Sequence, residues 1–370
     1  MKKVRKVLVI GNNVRSIACS ARKAGYTVYA FDRFGDVDMQ KCAYRAHILG
    51  KTGNELQQMV VSCGDIDAVI LGPGFENVQL KNALNNPPHI MEKAGDKLKL
   101  PRKLYSMGIP HPRTGSPGKA EDMGFPLMIK PRAGSGGIKN IIIRNEAEME
   151  NFRNRDDTHD FIAQEFVEGI PCSASLICTG DDAAVVALNE QLIGIPWLTR
   201  LPFAYCGNIT PFNTKFKEEM VKYAKQIALE FKLLGSNGVD FMLTDKGVQV
   251  IEINPRFQGS LDTIELATGL NVFDAHIKSF EGELPQVREP RCFAAKAIIF
   301  SEKEFVISRE ISDMLIKCMD KGRAADIPRV GLPILPDEPI TTMLATAQTR
   351  ITALEKVRKS SQQIKERTED

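Results

Sequence analysis

Between Gly238 and Gln258 the chain reads GVDFMLTDKGVQVIEINPRFQ, and three oxygen-bearing side chains in it fall on one face of an extended hairpin. Two apolar runs, 239–243 and 248–253, flank Asp245-Lys246-Gly247. A three-residue loop ending in glycine is a common hairpin connection. That loop pairs Thr244 with Val248 and sets Asp240 opposite Glu252. Asn254 lies two residues further on, hence on the same face. Two carboxylates and an amide among apolar neighbours are costly to bury unpaired. A hard cation with oxygen ligands resolves the cost, and Mg²⁺, held by few protein groups together with substrate phosphates, fits this set. Arg256 follows just beyond. The alternative is a solvated hairpin with acids by chance; the apolar neighbours, which argue for burial on both faces, weigh against it.

Two other segments offer groups for a nucleotide. Lys130 ends an apolar strand predicted over 125–130, and Gly134-Ser135-Gly136-Gly137 follows before a strand at 141–143. Such a loop lets backbone N–H groups approach phosphate oxygens closely. No GK[ST] follows, so it is not a Walker loop, and taken alone it also fits an ordinary flexible hairpin. A buried Lys130 needs an anionic partner, which a phosphate supplies. The segment Gln164-Glu165-Phe166-Val167-Glu168-Gly169 ends a strand at a hinge position. It can offer a backbone N–H and C=O to an adenine edge between apolar walls; by itself it equally describes an edge strand meeting a turn.

The elements that must position these groups read as follows. The first ninety residues alternate strands (7–10, 27–31, 68–71) with helices (14–24, 54–62), a doubly wound parallel α/β unit whose site belongs at the carboxyl ends of its strands. Its first loop, Gly11-Asn12-Asn13-Val14-Arg15, lacks the GxGxxG spacing, so a nicotinamide dehydrogenase is disfavoured. Residues 87–118 read as a junction with a helix around 98–107. Strands at 161–167, 173–179 and 183–191 and an amphipathic helix at 215–231 precede the hairpin, and helices at 263–266 and 272–281 follow it. Beyond Pro285 come a strand at 294–300, a helix at 309–317, a strand at 341–347 and a charged terminal helix at 351–367.

The 370 residues suffice for two or three domains. A composition 43% hydrophobic and 26% charged is that of a soluble globular protein, and a net charge of +3 does not indicate nucleic-acid or membrane binding. No apolar run is long enough to span a bilayer, and that at 7–10 is too short for a signal peptide, so a cytoplasmic location is expected. Eight cysteines without a CxxC pair read as free, mostly buried thiols.

Taken in order, Lys97, Lys130, the loop 133–137, the segment 164–169 and the set Asp240, Glu252, Asn254 and Arg256 resemble the ATP-grasp superfamily, in the carboxylate–amine ligase and biotin carboxylase-like branch, within an archaeal-type group of unassigned substrate. In that branch an acid is followed twelve residues later by E-x-N-x-R, as Asp240 is by Glu252-Ile253-Asn254-Pro255-Arg256. The resemblance implies an α/β and α+β protein: an N-terminal α/β domain (1–92), a small ATP-grasp part with the glycine-rich loop (93–171), a large part with the Mg²⁺ site (172–285) and a small C-terminal α+β domain (286–370). It implies that Lys97 and Lys130 contact ATP phosphates and that Gly134, Ser135, Gly136 and Gly137 fold over them. Gln164, Phe166 and Val167 would flank adenine. Asp240, Glu252 and Asn254 would hold Mg²⁺ or Mn²⁺, and Arg256 would stabilise charge on the transferred group, a salt bridge to a nearby acid being its alternative. The acid that many members place after the hinge for the ribose is missing from Ile170-Pro171-Cys172-Ser173, and no biotinylation-type Met-Lys-Met motif occurs.

The expected function is that of an ATP- and Mg²⁺-dependent ligase that activates a small-molecule carboxylate for attack by an amine, releasing ADP, with a homodimer expected from the family. Bicarbonate activation and a non-catalytic ATP-binding regulatory protein are the alternatives. For the second substrate, Glu76 is a candidate for an amine and Arg15 for a carboxylate across the N-terminal crevice, with Asn208 in a segment, 201–210, expected as a lid. Each of these also fits ordinary turn chemistry.

Overall fold

The computed structural model describes residues 4–50, 60–76, 78–134 and 136–369. The N-terminal part runs β1 (Lys6–Ile10), α1 (Arg15–Lys23), β2 (Thr27–Asp32), α2 (Val37–Cys42), β3 (Arg45–Ile48) and β4 (Ala68–Leu71). Its strands form one parallel sheet in the order β3-β2-β1-β4. Val7–Ile10 and all of β4 are buried, so both read as continuous apolar runs rather than alternating ones. The helix expected over 54–62 lies mostly outside the described residues; 60–62 are helical.

Next come α3 (Pro88–Gly95) and α4 (Leu100–Ser106). One helix was expected here. Two form because Asp96 turns its carboxylate onto the backbone N–H groups of Leu98 and Lys99, at 3.0 and 3.3 Å, a local bond that competes with helix continuation. A small antiparallel sheet follows, made of β5 (Thr114–Gly115), β6 (Leu127–Pro131), β7 (Ile141–Ile143) and β8 (Phe161–Glu165) in the order β5-β8-β6-β7. Between β7 and β8 lies α5 (Glu146–Arg153). Asn145 caps it by accepting from the Glu148 N–H, and the Glu148 carboxylate accepts from the Arg144 N–H in return. Met149 and Phe152 of α5 pack on Leu127, Ile129 and Ala163.

The remaining chain builds β9 (Ile170–Thr179), β10 (Ala183–Ile193), β11 (Tyr205–Thr210), α6 (Lys217–Phe231), β12 (Leu234–Thr244), β13 (Gly247–Asn254), α7 (Leu261–Thr268), α8 (Val272–Ser279), β14 (Phe293–Phe300), β15 (Phe305–Val306), α9 (Arg309–Asp320), β16 (Ala324–Ala325), β17 (Pro333–Ile334), β18 (Pro339–Ala347) and α10 (Arg350–Glu369). Eight of these strands form one sheet in the order β13-β12-β9-β10-β11-β14-β18-β16. A boundary near 285 therefore divides the sequence without dividing the sheet, since β14 pairs with β11. Helix α6 buries Met220, Ala224, Ile227 and Phe231 against one part of the sheet, and α10 buries Ala353, Val357 and Ile364 against another.

Two expectations fail here. The segment 201–210 is not a lid: its second half is β11, a central strand buried from Cys206 to Thr210. Its polar residues misled because they bond to one another inside. Asn208 donates to Thr210 and Thr263, and Thr210 donates to Asn189, so polarity brought no exposure. The cysteines are also not all free. Cys19 and Cys42, on α1 and α2, form a disulfide; Cys63, Cys172, Cys178 and Cys206 are buried thiols, and Cys292 and Cys318 half-buried ones. A separation of 23 residues carries no local signal of pairing, which arises only when α1 packs on α2.

Candidate active site

Strands β12 and β13 form the expected hairpin, by a different route. Thr244 pairs with Gly247, so the loop is the two residues Asp245 and Lys246. This alone would put Asp240 out of step with Glu252. A bulge at Ile251 of β13, between the pairs Phe241↔Val250 and Asp240↔Glu252, restores the pairing Asp240↔Glu252 and Gly238↔Asn254. The bulge decides which way the acid points. Val248 and Val250 enter the core, and so does Ile253, while Ile251 and Glu252 both line the cavity. Strict alternation from Val250 would have sent Glu252 into the core; the extra residue turns it out.

The cavity holds about 930 Å³, ample for a nucleotide. One wall is the face of the small sheet that carries Met128 and Lys130 on β6 and Gln164 on β8, while Leu127, Ile129 and Ala163 point into the core behind. The opposite wall is the hairpin with Asp240, Glu252 and Asn254. Phe166 and Val167 line one end, and Arg256 lies beside the hairpin's exit. Gly134, Gly136 and Gly137 form the cover; Ser135 lies outside the described residues. The cover is docked. Lys97 Nζ donates to the Gly134 carbonyl at 2.7 Å, and the Tyr205 N–H donates to the Gly136 carbonyl at 3.1 Å. Gly137 has φ +72°, and a Cβ there would sit 1.9 Å from the Phe203 carbonyl oxygen, so only glycine fits.

The charges are closely matched but not closed. Lys97 Nζ lies 3.2 Å from Glu252 Oε2. Lys130 is 5% exposed and has no ion-pair partner among the described residues. Burial lowers its pKa to about 8, with Glu252 opposing. Burial would raise Glu252, yet the ammonium groups of Lys97 and Lys130 hold it below the ordinary carboxylate range. Asp240 moves the other way, pushed up to about 8 by burial and then by the charge of Glu252. The Asn254 amide nitrogen bridges the two acids, at 3.0 Å from Asp240 Oδ2 and 3.4 Å from Glu252 Oε1. Asp240 Oδ1 is buried with no hydrogen-bond partner. Two acids, one with a carboxylate oxygen that has no hydrogen-bond partner among the described residues, are a donor set suited to Mg²⁺ shared with phosphates. The Asn254 oxygen, which accepts from Arg256 Nη2, would join them only if its amide turned over, and no group of three or more His, Cys, Asp or Glu among the described residues makes a fuller metal cage.

Arg256 is held on three sides. Its Nε pairs with Glu76 at 2.7 Å, Nη1 donates to the Phe257 carbonyl at 3.0 Å, and Nη2 donates to Asn254 Oδ1 at 3.3 Å. The salt bridge weighed as an alternative exists and coexists with a place on the cavity wall. Glu76 is thereby brought from the end of the N-terminal sheet to the site. Arg15 is not. It is 4% exposed and bonds Asp262 at 2.5 and 2.9 Å and Asp326 at 2.9 and 3.1 Å. It ties three parts of the chain together, with four of its five N–H donors taken by carboxylates and the group buried away from the cavity. Asn208 lines the cavity but spends its amide on Thr210 and Thr263. Sequence reasoning did not single out Ser173, Gln191 or Gln258, all on the cavity wall, as is Tyr205 of the expected lid segment. Ser173 and Gln191 stand on β9 and β10 and Gln258 follows β13, so only the assembled sheet brings them to one wall.

Residues 94–260 match the family model described as an ATP-grasp domain. The chain carries an ATP-grasp domain. Its limits enclose the glycine-rich cover, both lysines and the hairpin with its acids. Among curated proteins the chain is similar to a formate-dependent phosphoribosylglycinamide formyltransferase of Saccharolobus solfataricus, 25% identical over 398 residues, with 96% of each covered. Among solved structures it shares its fold with an ADP complex of N5-carboxyaminoimidazole ribonucleotide synthetase, at a TM-score of 0.76 and 16% identity over 100% of both chains. It also shares it with the biotin carboxylase domain of a Hydrogenobacter thermophilus 2-oxoglutarate carboxylase in complex with MgADP, ADP and bicarbonate. There the TM-score is 0.73 with 17% identity, covering 96% of this chain and 89% of that one. Among the described residues no helix is long and apolar enough to cross a membrane.

Proposed function

We propose that this chain is an ATP-dependent ligase that activates a small-molecule carboxylate as an acyl phosphate, releasing ADP, and joins it to an amine. The observation that carries the reading is one cavity of nucleotide size lined by phosphate-seeking groups (Lys97, Lys130, the glycine cover) and by the acids Asp240 and Glu252, with Asp240 Oδ1 buried and without a hydrogen-bond partner among the described residues. The similarity to a formyltransferase named for formate and phosphoribosylglycinamide supports a carboxylate and an amine as the two substrates.

The residues divide the work. Gln164, Phe166 and Val167 border the end suited to adenine. Lys97 and Lys130 hold the phosphates, and the carbonyls of Gly134 and Gly136 stay pinned to Lys97 and Tyr205, which fixes the cover over the cavity. Asp240, Glu252 and Asn254 would hold Mg²⁺, which supplies charge neutralisation and alignment of the phosphates when bound. A substrate carboxylate oxygen attacks the γ-phosphorus and ADP leaves. Arg256, fixed by Glu76 and Asn254, presents a guanidinium to the charge that develops on the transferred group. The amine nitrogen then attacks the acyl carbon, phosphate departs and the amine gives up a proton. No protein nucleophile takes part; catalysis is positioning and electrostatics. Glu76, paired with Arg256 and half-buried, would meet the amine substrate from behind Arg256.

The test is a screen of ADP release with carboxylates against amines, with and without bicarbonate. ADP release that requires both a carboxylate and an amine supports the reading. Release with bicarbonate alone moves the chain to bicarbonate activation. MgADP binding without turnover on any pair makes it a non-catalytic nucleotide-binding protein.

A further inference from the structure

The disulfide lies one helical turn from each of two residues that hold the molecule's parts together. Arg15 and Cys19 are four apart on α1, and Asp38 and Cys42 are four apart on α2, so each pair shares a helix face. Arg15 grips Asp262 at the start of α7 and Asp326 beyond β16. Asp38 accepts the N–H groups of Asp326 and Ile327 at 2.8 and 3.0 Å. From Asp262 the chain of contacts continues to the cavity. Lys296 Nζ lies 3.0 Å from Asp262 Oδ2 and donates to the Gly259 carbonyl at 3.2 Å, and Gly259 and Ser260 line the cavity. Thus α1 and α2 are both the stapled pair and the two jaws of the clamp. Both cysteines are half-buried, within reach of a small thiol reagent. Four of the other six, Cys63, Cys172, Cys178 and Cys206, are buried.

We propose that Cys19–Cys42 is a thiol–disulfide control point for this clamp. Closed, it fixes α1 against α2 so that Arg15 and Asp38 together set the positions of Asp262, the 326–327 turn and the Gly259–Ser260 edge of the cavity. Opened, it loosens that edge and weakens nucleotide binding; this last clause rests on the ATP reading above. The step balances with a dithiol as the reductant. One of its thiolates attacks a cysteine sulfur, the S–S bond breaks and a mixed disulfide forms. The second thiolate displaces the cysteine. The dithiol becomes a cyclic disulfide, and two electrons and two protons pass to Cys19 and Cys42. Disulfides in reducing surroundings are mostly transient and redox-sensing, which suits such a device.

The experiment uses the full chain, air-oxidised or treated with dithiothreitol. Alkylation after denaturation is expected to label six cysteines before reduction and eight after, since the chain has eight and two are bonded. Eight labelled before reduction would overturn the proposal. Reduction is expected to speed amide exchange at Asp326 and Ile327 and to weaken MgADP binding by about fivefold or more, the lower end of ordinary coupling between sites. Cys19→Ser and Cys42→Ser are expected to show the weaker binding without reductant and no further response to it. Unchanged exchange at 326–327 in wild-type protein whose bond has been shown to open would also overturn it. Absence of MgADP binding in both states would overturn the nucleotide reading instead, and exchange at 326–327 would then decide the control point alone.

Discussion

Two clusters of buried charge lie in this chain, and they differ in what they leave open. Around Arg15, the carboxylates of Asp38, Asp262 and Asp326 and the ammonium of Lys296 pair with one another, while the flanking Asp32 and Asp36 each keep one buried oxygen without a hydrogen-bond partner among the described residues and do not line the cavity. Asp326 is held down to about 2 because Arg15 and Lys296 overcome its burial. Around the hairpin, Lys130 lacks an ion-pair partner among the described residues, Asp240 Oδ1 lacks any hydrogen bond, and a cavity of about 930 Å³ separates the walls. Buried charge satisfied by its neighbours builds architecture; buried charge left facing a cavity waits for a ligand. The sequence offers the same residue types in both places, which is why Arg15 read as a substrate contact and Glu76 as its equal.

The sharpest way to break this contrast is to remove one member of each cluster. Arg15→Met leaves Asp262 and Asp326 buried without their partner, and breaking a buried pair in this way costs about 3–5 kcal/mol of stability. Denaturant unfolding measures it. A loss below about 1 kcal/mol, the range of surface pairs, would place Arg15 in a looser site than the closed one described. Glu252→Gln should act mainly on turnover. ADP release is expected to fall by on the order of 10²–10³, as when a positioned charge-stabilising group is lost, in a protein that still folds, with a lower melting temperature because Lys97 loses its partner. Undiminished turnover would remove Glu252 from the metal set.

Gly137→Ala tests whether the cover must dock. Its Cβ would strike the Phe203 carbonyl and its φ is left-handed. At about 1–2 kcal/mol for an L-residue in that region, nucleotide affinity should weaken by roughly tenfold. Unchanged MgADP affinity would mean the loop binds without docking on Phe203. The last and smallest effect is a pair of opposite pH trends from Lys130. Its folded pKa of about 8 lies below the ordinary 10.5. Between these values the unfolded chain keeps a proton that the folded chain has released, so stability from this group rises with pH across that window. Nucleotide affinity should fall across pH 8 as the ammonium is lost. Lys130→Met should flatten both trends, read by unfolding and by MgADP titration at each pH; trends that persist in the variant belong to another group.

How much of this was legible in the chain follows from the range of each interaction. The hairpin, Lys130 and the glycine loop announce themselves because each is local: a strand face, a turn, a glycine run; Lys97 entered only with the family resemblance. The register of the hairpin was right for the acids but reached through a loop one residue too long, and the bulge that corrects it is marked in VQVIEI only by the adjacent Val250 and Ile251, which interrupt the alternation. Glu76 was placed near the chemistry by the rule that sites form at the carboxyl ends of parallel strands. Arg15 obeyed the same rule and was wrong, because Asp262 and Asp326 lie 247 and 311 residues away. Asn208 and the 201–210 lid failed likewise: partners for a polar strand at Asn189 and Thr263 are not visible from the strand itself.

By itself the sequence determined the class of chemistry. Asp240, twelve residues before Glu252-Ile253-Asn254-Pro255-Arg256, together with two lysines and a glycine-rich turn, resembles the ATP-grasp pattern, and that resemblance implies a nucleotide and a hard cation. The tertiary structure decided which charged groups remain available. That depends on partners supplied by distant strands and helices, on a one-residue bulge that turns Glu252 toward the cavity, and on helices that bring Cys19 to Cys42 and Arg15 to Asp262. Local spacing fixes direction along a strand or helix, whereas satisfaction of a buried charge is a property of everything packed around it.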